Sequence, residues 1–297
     1  MKKSQNRISV LKTYKLYIGG QFPRTESGRS IAALDAKGNK IANLCMASRK
    51  DGREAIVAAR AALGGWNQRA ANNRGQILYR IAEMLEARKD QFIAELQLQG
   101  LSRVAALAET NGAIDRWIYY AGWCDKYQAL FSTVNPVASS HYNFSVCEPM
   151  GVVTIFAPTS PLLGLTSVLA PCLAGGNTAV VIADEKRSLC AISLAEVLNS
   201  SDVPGGVVNI LTGSKAELLP WLAEHRDVNA LVYTERDPAT LSSLRTRATG
   251  NLKRVIHWPY TNWSLNKAQS PHLIMDLQEI KTTWHPIQQI TGSGASY

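Results

Sequence analysis

Hydrophobic positions along the chain fall into two regimes. Between residue 48 and about residue 130 they recur at intervals of three and four, the period of amphipathic helices, whereas from about residue 151 short apolar runs alternate with helix-length stretches. In the first regime Ser48 with Asp51 predicts a helix start, Ile56, Ala59 and Leu63 share a face, and Gly64–Gly65 predicts the stop. A second helix is expected over 74–98, on the stripe Ile77, Ile81, Met84, Leu85, Phe92 and Leu96. A third is expected over 104–130. Its bunched Trp117, Tyr120 and Trp123 read as core, because aromatic clusters at helical spacing usually are. Residues 14–22 alternate as a strand and glycine turn, and alternation returns around Tyr142–Val146.

The second regime is the more regular. Strands are expected over 151–157, 179–183, 207–211, 230–233 and 252–256, with helices over 161–173, 188–199, 215–224 and 238–249. Parallel strands need long crossovers, and helices of that length supply them in the right-handed sense. The fold class is therefore α/β, with a doubly wound, mostly parallel five-stranded sheet behind an N-terminal helical segment. The closing segment 279–286 is expected to be a strand or helix anchored on the core by Trp284, and Gln288–Tyr297 has the composition of a loose tail.

Composition narrows the function classes. A chain of 297 residues, 46% hydrophobic and 19% charged, reads as soluble and globular. It contains no apolar run of the ~18 residues a membrane span needs and no apolar signal core near Met1, so a cytoplasmic protein is expected. The five cysteines (Cys45, Cys124, Cys147, Cys172, Cys190) are scattered, and neither they nor the five histidines show metal-ligand spacing. A net charge of +9 invites a nucleic-acid reading, but the cations are dispersed and no groove-entering or base-stacking motif accompanies them. No nucleic acid, membrane or metal is expected as a partner.

Several linked segments carry a family likeness: Tyr17-Ile18-Gly19-Gly20, Arg74-Gly75, Tyr120-Ala121-Gly122-Trp123, Glu148-Pro149 with Gly151-Val152-Val153, Gly176-Asn177-Thr178 and Pro204-Gly205-Gly206-Val207-Val208-Asn209. In this order and spacing the chain resembles the aldehyde dehydrogenase superfamily over about residues 14–258. The resemblance implies a Rossmann-like domain over 148–286. Residues 1–147 would then hold the N-terminal part and an oligomerisation strand at Tyr142–Val146, with a flexible tail over 287–297. It also implies NAD(P) as the family cofactor and a cysteine nucleophile in a catalytic domain that is expected to begin about where this chain stops. None of the five cysteines lies in a matching context.

The implied nucleotide contacts are eroded. Thr159 stands where the family has an asparagine that stabilises the oxyanion, and Ile182 where a lysine holds the ribose hydroxyls, while Glu185 matches the acidic ribose contact. Gly213 is kept, but Lys215 and Leu219 replace small residues after it. The family's Thr-Gly-Ser becomes Thr234-Glu235-Arg236, which sets a carboxylate against the pyrophosphate, although Arg236 can itself bind phosphate. At the place of the general base stands Trp258, which takes no proton. What the resemblance implies is an aldehyde dehydrogenase-like pseudoenzyme with NAD(P) binding weak or lost, acting as a structural or regulatory subunit. The alternative is an NAD(P)-dependent oxidoreductase whose catalytic domain comes from a partner chain. Either way a homo-oligomer or a complex with an active aldehyde dehydrogenase is expected, formed through an exposed edge at Tyr142–Val146 and a bare apolar surface.

Overall fold

A computed structural model describes residues 10–287. The chain opens with a small sheet, β1 (Thr13–Tyr14), β2 (Ser30–Leu34) and β3 (Lys40–Cys45), ordered β1-β3-β2. The β2–β3 turn is held by Asp35, whose Oδ1 accepts from the Lys37 and Asn39 amides at 2.8 Å each. Of the strand expected over 14–22, only its first residue lies in β1. Tyr17 bridges to Ile210 and Ile18 to Gln21 instead. Gly20 permits this turn, since a Cβ there would lie 2.9 Å from the Gly205 Cα.

Helix α1 (Arg49–Asn67) begins as expected, with Ser48 and Asp51 forming a reciprocal capping box. It does not end at Gly64–Gly65. Trp66 is fully buried and its indole donates to the Leu173 carbonyl at 3.2 Å, so packing carries the helix through two residues of poor propensity. The long second helix divides into α2 (Ala71–Ala87) and α3 (Lys89–Leu98), and the third into α4 (Arg103–Ala121) and α5 (Tyr127–Phe131). Arg88 leaves helical geometry at the first break. Periodicity persists across such breaks because both halves face one core.

Two further strands follow, β4 (Thr133–Asn135) and β5 (His141–Pro149), and then the alternating region: β6 (Val152–Phe156), α6 (Leu163–Ala174), β7 (Thr178–Ile182), α7 (Leu189–Asn199), β8 (Val208–Leu211), α8 (Lys215–Glu224), β9 (Ala230–Tyr233), α9 (Pro238–Ala248) and β10 (Arg254–His257). Strands β6 to β10 form one wholly parallel sheet, ordered β10-β9-β6-β7-β8. Alternate residues feed separate apolar layers. Val153, Ile155, Val181 and Val232 join the helices α2, α4, α6 and α7, while Phe156, Val180, Leu231 and Tyr233 join α1, α8 and α9. This is the expected doubly wound, Rossmann-like arrangement.

After β10 the chain returns across the molecule. Trp263, Leu273, Ile274 and Leu277 are buried, and the helix α10 (His272–Met275) packs on α6. The buried Arg116 guanidinium of α4 donates to the Trp263 carbonyl at 2.7 Å and also to the Ala268 carbonyl. Strand β11 (Gln278–Pro286) then pairs antiparallel with β5, giving a third sheet ordered β11-β5-β4. Strand β5 is therefore central, and the expectation of a free edge at Tyr142–Val146 is wrong. The closing segment is a strand, but Trp284 does not anchor it to the core. That side chain is 56% exposed, against the ring of His141. The tail expected over 288–297 lies outside the described residues. Among the described residues no helix is long and apolar enough to cross a membrane.

Candidate nucleotide site

The C-terminal ends of the parallel strands surround a cavity of about 560 Å³ between α8 and α9, lined by Thr159, Glu185, Lys215, Leu219, Tyr233 and Glu235 among others. Ligands of open α/β sheets bind at this end. Of the eight candidate site residues, the fold therefore brings five, Thr159, Glu185, Lys215, Leu219 and Glu235, to one cleft.

The other three do different work. Ile182 is fully buried in the apolar layer that contains Phe156 and Leu218, so it forms part of the core beneath the cleft. Gly213 adopts φ +139°, and a Cβ there would come within 3.0 Å of the Ala47 amide, which donates to the Thr212 carbonyl at 2.8 Å. The passage of residues 46–47 over the strand end explains this glycine. Arg236 is exposed and donates to the Pro259 carbonyl at 3.2 Å, fastened to the connection after β10.

Lys215 dominates the cleft. Its side chain is 14% exposed, and its ammonium donates to the Ala157 carbonyl at 2.8 Å and pairs with Glu235 at 2.6 Å. The ion pair thus spans from the end of β6 to the turn after β9. Glu235 was expected to confront a phosphate with bare negative charge, and this is corrected: its charge is met internally. The sequence shows a large residue in place of a small one. It does not show that two residues twenty positions apart meet across the strand ends.

The nearby carboxylates are engaged as well. Glu185 accepts from the Lys215 amide, the first of α8, so it caps that helix and complements its dipole. Asp184 accepts from the Lys186 and Arg187 amides, and burial raises its pKa against the opposing pull of Lys215. Glu109, which sequence reasoning missed, reaches from α4 to accept from the Ser160 hydroxyl (2.6 Å) and the Leu162 and Leu163 amides (3.1 and 3.0 Å). The start of α6, an anion site in principle, holds the protein's own carboxylate.

Trp258 is 4% exposed and its indole donates to Asp276 at 2.9 Å, tying the end of β10 to the segment that returns over α4. All five cysteines are buried. Burial pushes the Cys124 thiol up to about 12 and raises those of Cys147, Cys172 and Cys190, the opposite of what a nucleophile requires. Among the described residues no group of three or more His, Cys, Asp or Glu side chains is placed to hold a metal ion.

The family model for the aldehyde dehydrogenase family matches residues 24–257. Among curated relatives, the human mitochondrial 10-formyltetrahydrofolate dehydrogenase is 32% identical over 260 residues, covering 85% of this chain and 28% of that protein. The 2-hydroxymuconic semialdehyde dehydrogenase of Pseudomonas sp. (strain CF600) is 32% identical over 248 residues, covering 81% of this chain and 51% of that one. The crystal structure of a putative aldehyde dehydrogenase from Burkholderia cenocepacia superposes with a TM-score of 0.78 at 30% identity, covering 82% of this chain and 50% of that one. This chain thus spans about half or less of each of these relatives. With the sheet order, the connecting helices and the cleft at the strand ends already in agreement, the chain belongs to the aldehyde dehydrogenase family.

Proposed function

We propose that this chain is a catalytically inactive aldehyde dehydrogenase-like subunit with a structural or regulatory role, acting in the cytoplasm within a homo-oligomer or a complex with an active aldehyde dehydrogenase. The observation that carries the reading is the Lys215–Glu235 pair, which ties together two strand ends across the cleft and satisfies the charges there internally. Three further features support it. Leu219 lines the same cleft, a buried Trp258 occupies the position implied for the general base, and the buried thiols are held protonated.

The alternative is an NAD(P)-dependent oxidoreductase acting on aldehydes with a catalytic domain from a partner chain. The open volume beside the ion pair favours it. Calorimetric titration with NAD and NADP separates the two readings, together with an aldehyde-dependent NADH assay on the purified protein. The subunit reading expects neither micromolar binding nor turnover. Micromolar affinity for either dinucleotide transfers support to the oxidoreductase.

A further inference from the structure

A second cavity, of about 880 Å³, lies between the first half of α2 and the end of α4, beside the turn that follows α7. It shares no lining residue with the nucleotide cleft. It also belongs to the other face of the parallel sheet, since α2, α4 and α7 pack in one apolar layer and α8 and α9 in the other. The two helices approach closely here because Gly75 has no side chain: a Cβ would lie 2.9 Å from the Ala121 carbonyl oxygen and 3.6 Å from the Cys124 Cβ. The start of α2 and the end of α4 thus lie side by side, and their dipoles present opposite signs to one space. The volume falls in the range of clefts that hold small organic ligands, about 300–1,000 Å³, and is far more than a single ion fills.

Three cations and three carboxylates line this space. Arg80 and Glu83 meet each other at 3.3 Å, which leaves Arg69 and Lys126 against Asp125 and Asp202. Among the described residues none of these four has an ion-pair partner. The Arg69 guanidinium donates to Asn73 Oδ1 at 2.8 Å, a neutral acceptor, and the Lys126 ammonium lies over Gly122, 3.8 Å from where a Cβ would stand. Asp202 takes φ +61°, a conformation that glycine adopts at lower cost, and its carboxylate accepts no hydrogen bond among the described residues. All four side chains are exposed, so a ligand reaches them without displacing the chain. Tyr79 and Ile118, 50% and 43% exposed, add an apolar wall to the same cavity. A simple anion or cation would match one sign in this space and confront the other. A molecule that carries both signs and a large apolar group matches all three features.

We propose that the α2–α4 cavity binds a small zwitterion with a free ammonium, a free carboxylate and a large apolar side chain, the chemistry of an apolar amino acid or a dipeptide. Arg69 and Lys126 hold its carboxylate, Asp125 and Asp202 hold its ammonium, and Tyr79 and Ile118 cover its side chain. This goes beyond the subunit reading and does not rest on it.

The test is calorimetric titration of the full chain with L-phenylalanine and with the dipeptide Phe-Leu, each to about 5 mM, a range that reaches weak binding. At least one should bind with a sub-millimolar Kd, and the tighter of the two gives the size of the ligand. Its N-acetylated and C-terminally amidated forms each lose one charge and should bind at least about 10-fold more weakly, a comparison made on the unaltered protein. Arg69→Gln combined with Lys126→Gln should erase the penalty of amidation and keep that of acetylation. Asp125→Asn combined with Asp202→Asn should do the reverse. These positions are exposed, so circular dichroism and melting temperature should match the parent. No heat from either probe overturns the proposal. So do blocked forms that bind like the free ones, or paired variants that retain both penalties. None of the four residues lines the nucleotide cleft, so failure here is distinguishable from failure of the subunit reading.

Discussion

The buried thiols that are unsuited to catalysis should make the protein sensitive to alkali. Cys124, Cys172 and Cys190 all have pKa values raised chiefly by loss of solvation. An acid whose folded pKa exceeds its unfolded value binds more protons when folded. Its stabilising contribution is therefore complete below the unfolded pKa and is lost as pH rises above it. An unfolded thiol titrates near 8.5, so at pH 10 each unfolded cysteine gains about 2 kcal/mol relative to pH 7, and the three together about 6 kcal/mol. Lys253 acts in the opposite sense. Burial depresses its pKa to about 8, although its ammonium donates to the Ala223 and His225 carbonyls at 2.7 and 2.9 Å at the end of α8. Partly screened by solvent, it returns at most about 2 kcal/mol over the same interval. The net loss of about 4 kcal/mol is a large share of a typical stability of about 5–15 kcal/mol. Urea unfolding in a reductant at pH 7, 8.5 and 10 measures it directly. Cys172→Ala leaves a cavity at every pH, so its signature is the difference between pH 7 and pH 10, which should shrink by about 2 kcal/mol. A flat profile, or a full decline retained in Cys172→Ala, would refute the assignment. Rapid alkylation of the native protein by iodoacetamide at pH 8 would do the same.

Other expectations follow from the cleft and the third sheet. Lys215→Met removes two charge-assisted bonds and should cost about 2 kcal/mol, read as a melting-temperature drop of about 4 °C. Replacing Lys215, Leu219 and Glu235 together by glycine should open the cleft to NAD, and a calorimetric trace identical to the parent's would contradict a cleft closed by Leu219 and the Lys215–Glu235 pair. Trp258→Glu, which restores a carboxylate at the implied base position, should remain without aldehyde-dependent NADH production. It should also lose at least about 3 kcal/mol in urea unfolding, since the new charge is buried beside Asp276. Phe144→Pro strikes the pairing of β5 with Thr283 and should lower the melting temperature of the whole chain; unchanged melting would mean that β5 is not central.

The parallel sheet was legible because each strand is a short, uniformly apolar run set off by helices, a pattern with few other solutions. Helix ends were read well where a cap is local, as at Ser48, and poorly where packing decides, as at Gly64–Gly65 beside the buried Trp66. Strands β2 and β3 escaped notice because they are short and because apolar Ala32 and Leu34 stand at exposed positions of β2 while polar Asn43 is half-buried in β3, so the sequence alternation is weak. In the cleft, residue identity was enough to flag Glu235 and Leu219. What stayed hidden is who meets whom: Lys215 reaches Glu235, Glu109 the start of α6 and Asp276 the Trp258 indole through the fold and not through spacing. Ile182 shows a further limit, since its place in the core means that a lysine substituted there would enter an apolar layer.

Strand β11 also sets a timetable. Lys281 and Glu148 face each other from positions 133 residues apart, so β5 leaves the ribosome long before its neighbour exists. At about 5–20 residues per second that interval is on the order of ten seconds, during which Tyr142, Phe144 and Val146 lie on a strand with one side unpaired. A nonsense mutation just before Gln278 would make the delay permanent, and such a product is destined for aggregation or proteolysis even though its parallel sheet is complete.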